Sequence, residues 1–240
     1  MILSLWAALR AYLARTPPSA VRHDKLLVVV EGKHDVEFLK RISRILHRDE
    51  ARLPDLSELE GSGRLVFVPF GGGDIFGWTH RLAGLGRELH LYDREQPPES
   101  EVRARAAAIV NARPDCRAFL TGKRALEKYL SPQAIYEARG VDIRFSDDDN
   151  VAELAARCSW LSANREPPWE SLAPRARKRQ RERAKHWLNT QAVERMTVER
   201  IDQCDPQGEI RLWLETIAQM ARLSADRHDH FVFPFTTSPD

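Results

Sequence analysis

Apolar and polar residues follow two alternating patterns along the first half of the chain. Leu26 to Val30 (LLVVV) is an unbroken apolar run, which is typical of a strand buried on both faces of a parallel sheet. The next segment, DVEFLKRISRIL, repeats apolar residues at helical spacing. Together the two patterns predict a strand followed by an amphipathic helix, which is the first part of a β-α-β unit.

The same alternation continues as far as residue 138. Further strands are predicted at 65–70, 88–92 and 117–120. A polar loop is predicted at 57–63, and helices are predicted at 75–86, 99–112 and, with a turn, 125–138. Strands that alternate with helices usually form a mostly parallel sheet, so we predict an α/β fold in which helices flank that sheet.

Helical patterns also precede and follow this α/β region. Residues 1–22 predict an amphipathic helix with four apolar side chains on one side, Leu3, Trp6, Leu9 and Leu13. After residue 150 the strand pattern stops, and helices are predicted at 151–160, through a basic run to 189, and at 210–223. We therefore divide the chain into an N-terminal helix (1–22), an α/β domain (23–150) and a C-terminal helical extension (151–240).

Composition narrows the class of protein. With 240 residues, 42% of them hydrophobic and 30% charged, the chain can bury a core without disulfide or metal support. Its three cysteines are widely spaced, which favours a reducing cytosol and argues against a zinc ribbon. No apolar stretch approaches the roughly 18 residues of a membrane span, and a cleaved signal peptide is the less favoured interpretation of the apolar start. We expect a cytoplasmic protein with no membrane partner.

The distribution of charge says more than the net charge of +2. Seven basic residues fall within eleven positions, opposed only by Glu182: Arg175, Arg177, Lys178, Arg179, Arg181, Arg183 and Lys185. Such a run can neutralise several phosphates of a nucleic acid, and it can equally be a solvated helix face. Both interpretations stay open.

Carboxylates follow two of the predicted strands. Glu31 ends the first strand and Asp35 lies in the first turn of the next helix, while Asp93 and Glu95 follow the third strand. In extended backbone, residues two apart point the same way, so Asp93 and Glu95 are expected to face one ion. Ligands of parallel sheets collect at the carboxyl ends of the strands, and Mg²⁺ prefers oxygen ligands. The pattern predicts a cation site suited to phosphodiester cleavage.

Each of these residues also has a purely structural interpretation. Glu31 can belong to a simple turn, and Asp35 can favour the helix dipole. The cluster Asp147 to Asp149 is read as the N-cap of the next helix, supplied by Asp148 or Asp149. Gly71 to Gly73 are read as a tight turn, and His34 as an exposed imidazole. The convergence of several acids at one sheet edge is what favours a metal site.

The order of these motifs resembles that of the Toprim domain. VVVEGKHDVEFL, FVPFGGGD and LYDRE occur in sequence, followed by GKRALEKYLSP, over roughly residues 26–132. The form EGxxDxxFL is similar to that of Toprim nucleases of the OLD (overcoming lysogenization defect) family and their stand-alone relatives. The resemblance implies a Mg²⁺- or Mn²⁺-dependent nuclease acting on DNA or RNA, with a role in defence against phage or mobile elements as one expectation.

The resemblance also implies roles for single residues. Glu31, Asp35 and Asp93 become metal ligands, and Glu127 becomes a further acidic candidate, with an exposed glutamate paired to a lysine as its equal alternative. Lys185 becomes the cation that assists the reacting phosphate, with Lys178 as the other choice.

The chain departs from the family pattern in two places. Glu95 replaces the second aspartate of the usual Asp-x-Asp, which puts two-metal geometry in doubt. An ATPase domain and its GxxxxGK[ST] motif are absent from the sequence, so any ATP-driven control requires a separate partner. The competing hypothesis is a catalytically degenerate Toprim-like module that binds nucleic acid or a partner ATPase. The sequence leaves homo-oligomerisation open.

Overall fold

In the computed structural model, which describes residues 25–225, four strands form one parallel sheet. The strands are β1 (Leu26–Val30), β2 (Leu65–Pro69), β3 (Arg87–Tyr92) and β4 (Cys116–Leu120), in the order β2-β1-β3-β4. The register of the two central pairings places Val28 beside both Phe67 and Leu89. The predicted N-terminal helix and the tail beyond residue 225 lie outside the described residues.

Nine α-helices accompany the sheet within residues 25–225. They are α1 (Lys33–Asp49), α2 (Leu56–Gly61), α3 (Ile75–Leu82), α4 (Glu99–Asn111), α5 (Pro132–Arg139), α6 (Val151–Ser162), α7 (Pro174–Trp187), α8 (Val198–Cys204) and α9 (Glu209–Ala225). Short 3₁₀ turns occur at Leu126–Tyr129, Trp169–Ser171 and Val193–Arg195, and a π turn occurs at Leu188–Ala192. The predicted α/β class, with a C-terminal helical stretch, is confirmed. Among these helices none combines the length and apolar character that crossing a bilayer requires.

Strand β1 is buried on both faces, as its apolar run predicts. Leu26, Val28 and Val30 join one core cluster, and Leu27 and Val29 join the other. This split follows from the two-residue period of a strand. The first cluster also takes side chains from α1, α5, α6, α7 and α9, so residues on both sides of position 150 share one core. The division of the chain at that position stays a prediction.

The prediction of a polar loop at 57–63 is wrong, because most of that segment is helix α2. Asp55 caps this helix by accepting a hydrogen bond from the Ser57 N–H at 2.8 Å, and Leu56 and Leu59 are buried beneath it. A short helix with only two apolar positions leaves little periodicity to detect. The predicted helix at 75–86 ends earlier, at Leu82, and the basic helix predicted to reach residue 189 is α-helical only to Trp187.

Strand β3 carries a buried polar network that the apolar pattern did not predict. Glu88 and His90 are fully buried, and Glu88 Oε2 lies 2.7 Å from His90 Nε2. Arg113 donates two hydrogen bonds to the Glu88 carboxylate, at 3.0 and 2.7 Å, and His90 Nδ1 lies 2.6 Å from the Tyr92 hydroxyl. Burial lowers the pKa of His90. The network ties β3 to the segment after α4, immediately before the chain reaches Asp93.

We predict that Glu88→Ala destabilises the protein by about 3 kcal/mol, because the Arg113 charge and the buried His90 lose their common partner. The free energy of unfolding from urea denaturation measures this. Glu170→Ala is the matched control, since Glu170 pairs with Arg157 at the surface, where both side chains are at least half exposed. The control should cost at most about 1 kcal/mol. Equal losses of unfolding free energy in the two variants would show that the buried network stabilises the protein no more than a surface ion pair does.

Candidate functional site

The carboxyl ends of β1 and β3 meet at one edge of the sheet and bring three acids together. Glu31 directly follows β1 and Asp93 directly follows β3, and the two strands are parallel neighbours. One oxygen each of Glu31, Asp93 and Glu95 can be chosen so that all three lie within 4.8 Å of one another. A hard divalent cation takes several oxygen ligands at a little over 2 Å, so this spacing suits a shared cation. The predicted convergence of these acids is therefore present.

Glu95 joins the cluster with a backbone conformation that differs from the extended one that was expected. Its backbone has φ 54°, so the segment after β3 is not extended. The Arg94 N–H donates to Thr121 Oγ1 at 2.9 Å, and the Glu95 N–H donates to the Arg124 carbonyl oxygen at 3.0 Å. These two bonds hold a turn against the segment after β4. Strand alternation therefore does not account for the closeness of the Glu95 and Asp93 carboxylates.

The glycines after β2 form a turn that supports Glu31. Gly71, Gly72 and Gly73 all have positive φ, between 71° and 91°, where glycine alone is free of Cβ strain. The Gly71 N–H donates to the Glu31 carbonyl oxygen at 2.8 Å. The positive φ angles agree with the predicted change of chain direction, and the bond from Gly71 fixes the backbone of Glu31.

Asp35 lies in the first turn of α1, as predicted, and its carboxylate points back toward Gly32, the residue before the helix. Asp35 Oδ2 accepts a hydrogen bond from the Gly32 N–H at 2.7 Å. Asp35 is not one of the three acids within 4.8 Å, although its charge interacts with theirs. Burial, followed by the charge of Glu127, raises the pKa of Asp35 to about 7, against the hydrogen bond from Gly32.

Asp93 lies at the centre of the acidic cluster. It is only 8% exposed, and burial raises its pKa well above the ordinary aspartate value. The charges of Asp35, Glu31 and Glu127 raise it further, and the charge of Lys185 lowers it. Like charges held together in a low-dielectric environment favour protonation, and a bound cation reverses that preference.

Glu127 is buried, so the alternative of an exposed, lysine-paired glutamate is wrong. It is 5% exposed and accepts a hydrogen bond from Asn189 Nδ2 at 2.8 Å. The 3₁₀ turn Leu126–Tyr129 and the π turn after α7 bring these two residues together. Asn189 was not singled out from the sequence, since nothing in its local pattern distinguishes it from a surface amide.

Lys185 is the basic residue of α7 that reaches the acids. Its pKa is raised, first by the charge of Glu127 and also by Asp35 and Asp93, while burial opposes the shift. Lys185 lines a cavity of about 50 Å³ together with Asp93, Glu95, Glu127 and Arg124, among others. Lys178, the other lysine considered, is exposed and does not line this cavity.

Two arginines neutralise the cluster from other elements. Arg103 of α4 donates to both oxygens of Glu31, from Nε at 2.7 Å and from Nη2 at 3.1 Å. Arg124 Nε donates to Glu95 Oε2 at 3.3 Å. Sequence reasoning missed both residues. Helical spacing supplies a signal for Arg103, because it shares a face of α4 with the buried Ala107 and Val110.

The acidic side chains of the loop before α6 make hydrogen bonds and an ion pair within the protein, and Asp149 also lines the small acidic cavity. Asn150, not Asp148 or Asp149, caps α6 by accepting a hydrogen bond from the Glu153 N–H at 2.9 Å. The Asp149 carboxylate instead accepts hydrogen bonds from the Ser146 N–H and hydroxyl, at 2.6 and 2.9 Å. Asp147 pairs with Arg94. The N-cap assignment is therefore wrong by one residue, because asparagine competes equally well for this position.

The remaining basic residues of α7 divide into two groups. Arg179 and Arg183 line a large cleft on one side of the helix. Arg181 Nη1 lies 3.5 Å from Glu153 Oε2, and Arg175, Arg177 and Lys178 line neither of the two cavities. Another expectation fails nearby, since His34 is 9% exposed rather than open to solvent. It packs beneath α7, with its ring centre 5.9 Å from that of His186.

The chain was compared with protein-family models, with curated proteins and with solved structures, and none of the three comparisons found a match. The likeness to Toprim nucleases therefore depends on the motifs in the sequence alone.

The raised pKa of Asp35 predicts how stability depends on pH in the metal-free protein. Between about pH 4 and pH 7 the folded chain holds a proton that the unfolded chain has released, so stability falls as the pH rises. Asp35→Asn removes that loss and should stabilise the protein by on the order of 2 kcal/mol at pH 8, with no gain near pH 4. Urea denaturation in EDTA at both pH values measures the difference.

Glu101→Gln is the control for charge removal, because Glu101 is an exposed residue of α4. It should change stability little at either pH. A destabilised Asp35→Asn variant at pH 8 would contradict the assignment of Asp35 to a repulsive cluster.

Proposed function

We propose that this protein is a metal-dependent hydrolase of phosphodiester bonds in nucleic acid, of the Toprim type that its motifs resemble. The observation that carries the proposal is the approach of Glu31, Asp93 and Glu95 to within 4.8 Å at the carboxyl edge of a parallel sheet. Mg²⁺ or Mn²⁺ fits this set, because all three ligands are hard carboxylate oxygens. A nitrogen- or sulfur-preferring metal fits it poorly.

The residues of the chain take distinct roles in this proposal. Glu31, Asp93 and Glu95 hold the cation, and Asp35 and Glu127 enlarge the negative field around it. The cation, when bound, polarises the phosphate and activates water. Lys185 presents a fixed positive charge beside the acids, and such a charge stabilises the negative charge that develops on the reacting phosphate.

The raised pKa values of two acids predict that cation binding depends on pH. Burial and the neighbouring acids raise the pKa of Asp35 to about 7, so a fraction of this group is protonated near neutral pH in the metal-free protein, and they raise the pKa of Asp93 as well. Cation binding competes with those protons, and metal affinity should therefore increase with pH. In the metal-free protein, protonation of Asp35 also reduces the repulsion among the acids.

A binding module without catalysis is the second candidate, and one observation favours it. Arg103 occupies both oxygens of Glu31, and Arg124 contacts Glu95, so protein cations already neutralise two of the three acids. In that case the cluster would be a structural ion-pair network, and the basic helix alone would contact nucleic acid or a partner ATPase. Metal titration separates the two candidates.

The proposal also includes the cellular location of the protein, its control and its biological role. The thiols of Cys116, Cys158 and Cys204 are free, which suits the reducing cytoplasm. Control by ATP, if this chain has any, would come from a separate ATPase, and a role in defence against phage rests on analogy with the OLD family.

We predict that the protein cleaves plasmid DNA, single-stranded DNA or RNA with Mn²⁺ or Mg²⁺ and that EDTA abolishes this activity. Asp93→Asn keeps the shape of the side chain but removes the central negative charge, so the cleavage rate should fall about 100-fold or more. Gel assays with all three substrates measure the rate. Glu101→Gln, which removes an exposed acid of α4, should cleave like the parent protein. Undiminished cleavage by a correctly folded Asp93→Asn variant would remove the hydrolase proposal.

We predict that Arg103→Gln increases the affinity for Mn²⁺ by about tenfold, because the guanidinium competes with a cation for the oxygens of Glu31. The concentration of Mn²⁺ that gives half of the maximal thermal stabilisation measures this. Arg105→Gln is the matched control, since Arg105 is an exposed arginine of the same helix. If neither the parent protein nor Arg103→Gln is stabilised by Mn²⁺, the binding-module candidate replaces the hydrolase.

A further inference from the structure

A second and larger cavity lies beside α7. It is an open cleft of about 870 Å³ between α6 and α7, and it extends to Lys33 and His34 at the start of α1. Pockets that bind organic ligands usually measure about 300 to 1,000 Å³, so this cleft can hold more than one nucleotide. Lys33 and His34 lie between Glu31 and Asp35 in the chain, so the end of the cleft that they line is close in sequence to the acidic cluster.

Helix α7 is a wall of both cavities. Lys185 lines the small acidic cavity, and its neighbours Arg183 and His186 line the large cleft. A polymer bound in the cleft would therefore contact the same helix that supplies Lys185 to the acidic cavity.

The cleft is strongly basic. Five of its lining residues carry a permanent positive charge: Lys33, Arg139, Arg165, Arg179 and Arg183. Glu182 is the single acid among the described residues that line it. A groove with this balance of charge attracts a polyanion and disfavours cationic ligands of similar size.

Two tryptophans add apolar faces to this basic surface. Trp160 is partly exposed, and its Nε1 donates to the Pro167 carbonyl oxygen at 3.0 Å, which fixes the ring. The guanidinium of Arg165 lies 5.4 Å from the centre of the Trp160 ring, and that of Arg139 lies 5.9 Å from the centre of Trp187. Trp187 is almost fully buried, so Trp160 is the more exposed of the two rings, although Arg165 already lies over it.

We propose that this cleft binds a single-stranded stretch of nucleic acid next to the bond that is cut. A base stacks on Trp160, and the adjacent phosphates contact Arg179 and Arg183. Single-stranded nucleic acid is recognised by this combination of basic groove and aromatic face, since its bases are free to leave their neighbours. In a duplex the bases are stacked and paired inside the helix, so Trp160 could not reach them without unpairing. The inference rests on the proposed function, because it names the substrate class of that same site.

The test measures binding in EDTA, where no metal-dependent cleavage occurs. Fluorescence anisotropy compares a labelled 12-nucleotide oligo-dT, a 12-nucleotide oligo-U and a mixed-sequence duplex of 12 base pairs at one salt concentration. The proposal requires that at least one of the single strands bind about tenfold more tightly than the duplex. Oligo-dT against oligo-U tells whether the strand is DNA or RNA.

Two double variants with the same loss of charge locate the binding site. Arg179→Ala with Arg183→Ala removes two arginines of the cleft and should weaken single-strand binding at least tenfold. Arg175→Ala with Lys178→Ala removes two exposed cations of the same helix that do not line the cleft, and should weaken binding less than threefold. Equal losses in the two double variants would overturn the proposal, because binding would then depend only on total charge.

A third variant tests the aromatic face. Trp160→Leu should weaken single-strand binding about tenfold while duplex binding stays unchanged. Trp160→Phe keeps a ring and should recover most of the loss, which separates stacking from damage to the packing of Trp160 on Trp169. No difference between leucine and phenylalanine would overturn the stacking role.

These outcomes are distinct from those of the cleavage assay. A protein that binds single strands in the cleft but shows no metal-dependent cleavage contradicts the hydrolase proposal and supports this binding site. A protein that cleaves with Mn²⁺ yet binds and cuts duplex better than single strands supports the hydrolase and overturns the inference.

Discussion

The mutual repulsion of carboxylates at the ends of β1 and β3 is the constraint around which this structure is arranged. Two unit charges 4.8 Å apart repel by about 3 kcal/mol at an effective dielectric constant of about 20. Glu31, Asp93 and Glu95 are all this close, and Asp35 and Glu127 add to the same field. The fold tolerates the cluster because protonation, Arg103, Arg124 and Lys185 each remove part of the repulsion. A shared divalent cation would remove it more completely, which supports the cation site that we propose.

The cations that offset this repulsion come from separate parts of the chain. Arg103 is on α4, Arg124 follows β4, and Lys185 is on α7, after the position where the sequence changes from an α/β to a helical pattern. The acidic edge of the sheet and the helical stretch therefore depend on each other electrostatically as well as through their shared apolar core. Helix α7 also separates the acidic cavity from the basic cleft, so one element serves both the reaction and the binding that we propose.

Much of the architecture follows from local patterns. The period-2 split of β1 between two core clusters and the helical spacing of α1 are properties of consecutive residues, and they were predicted for that reason. The acids at the strand ends were also predictable, because neighbouring parallel strands end at the same edge of a sheet. The prediction failed where the local signal was short or ambiguous. Helix α2 offers two apolar positions, and Asn150 competes with two preceding aspartates for one N-cap.

The sequence by itself determined the α/β class and the candidate acids Glu31, Asp35, Asp93 and Glu95, since each depends on spacing or on motif order. It left Lys185 and Lys178 as alternatives within the basic run. Only the tertiary structure decided the burial of Glu127 on Asn189, the left-handed turn at Glu95, the pairing of Arg103 with Glu31 and the cleft beside α7. These features join residues far apart in the chain, such as Glu127 and Asn189 at a separation of 62 positions. Local periodicity carries no information about such pairs, because their proximity arises from how the helices pack on the sheet.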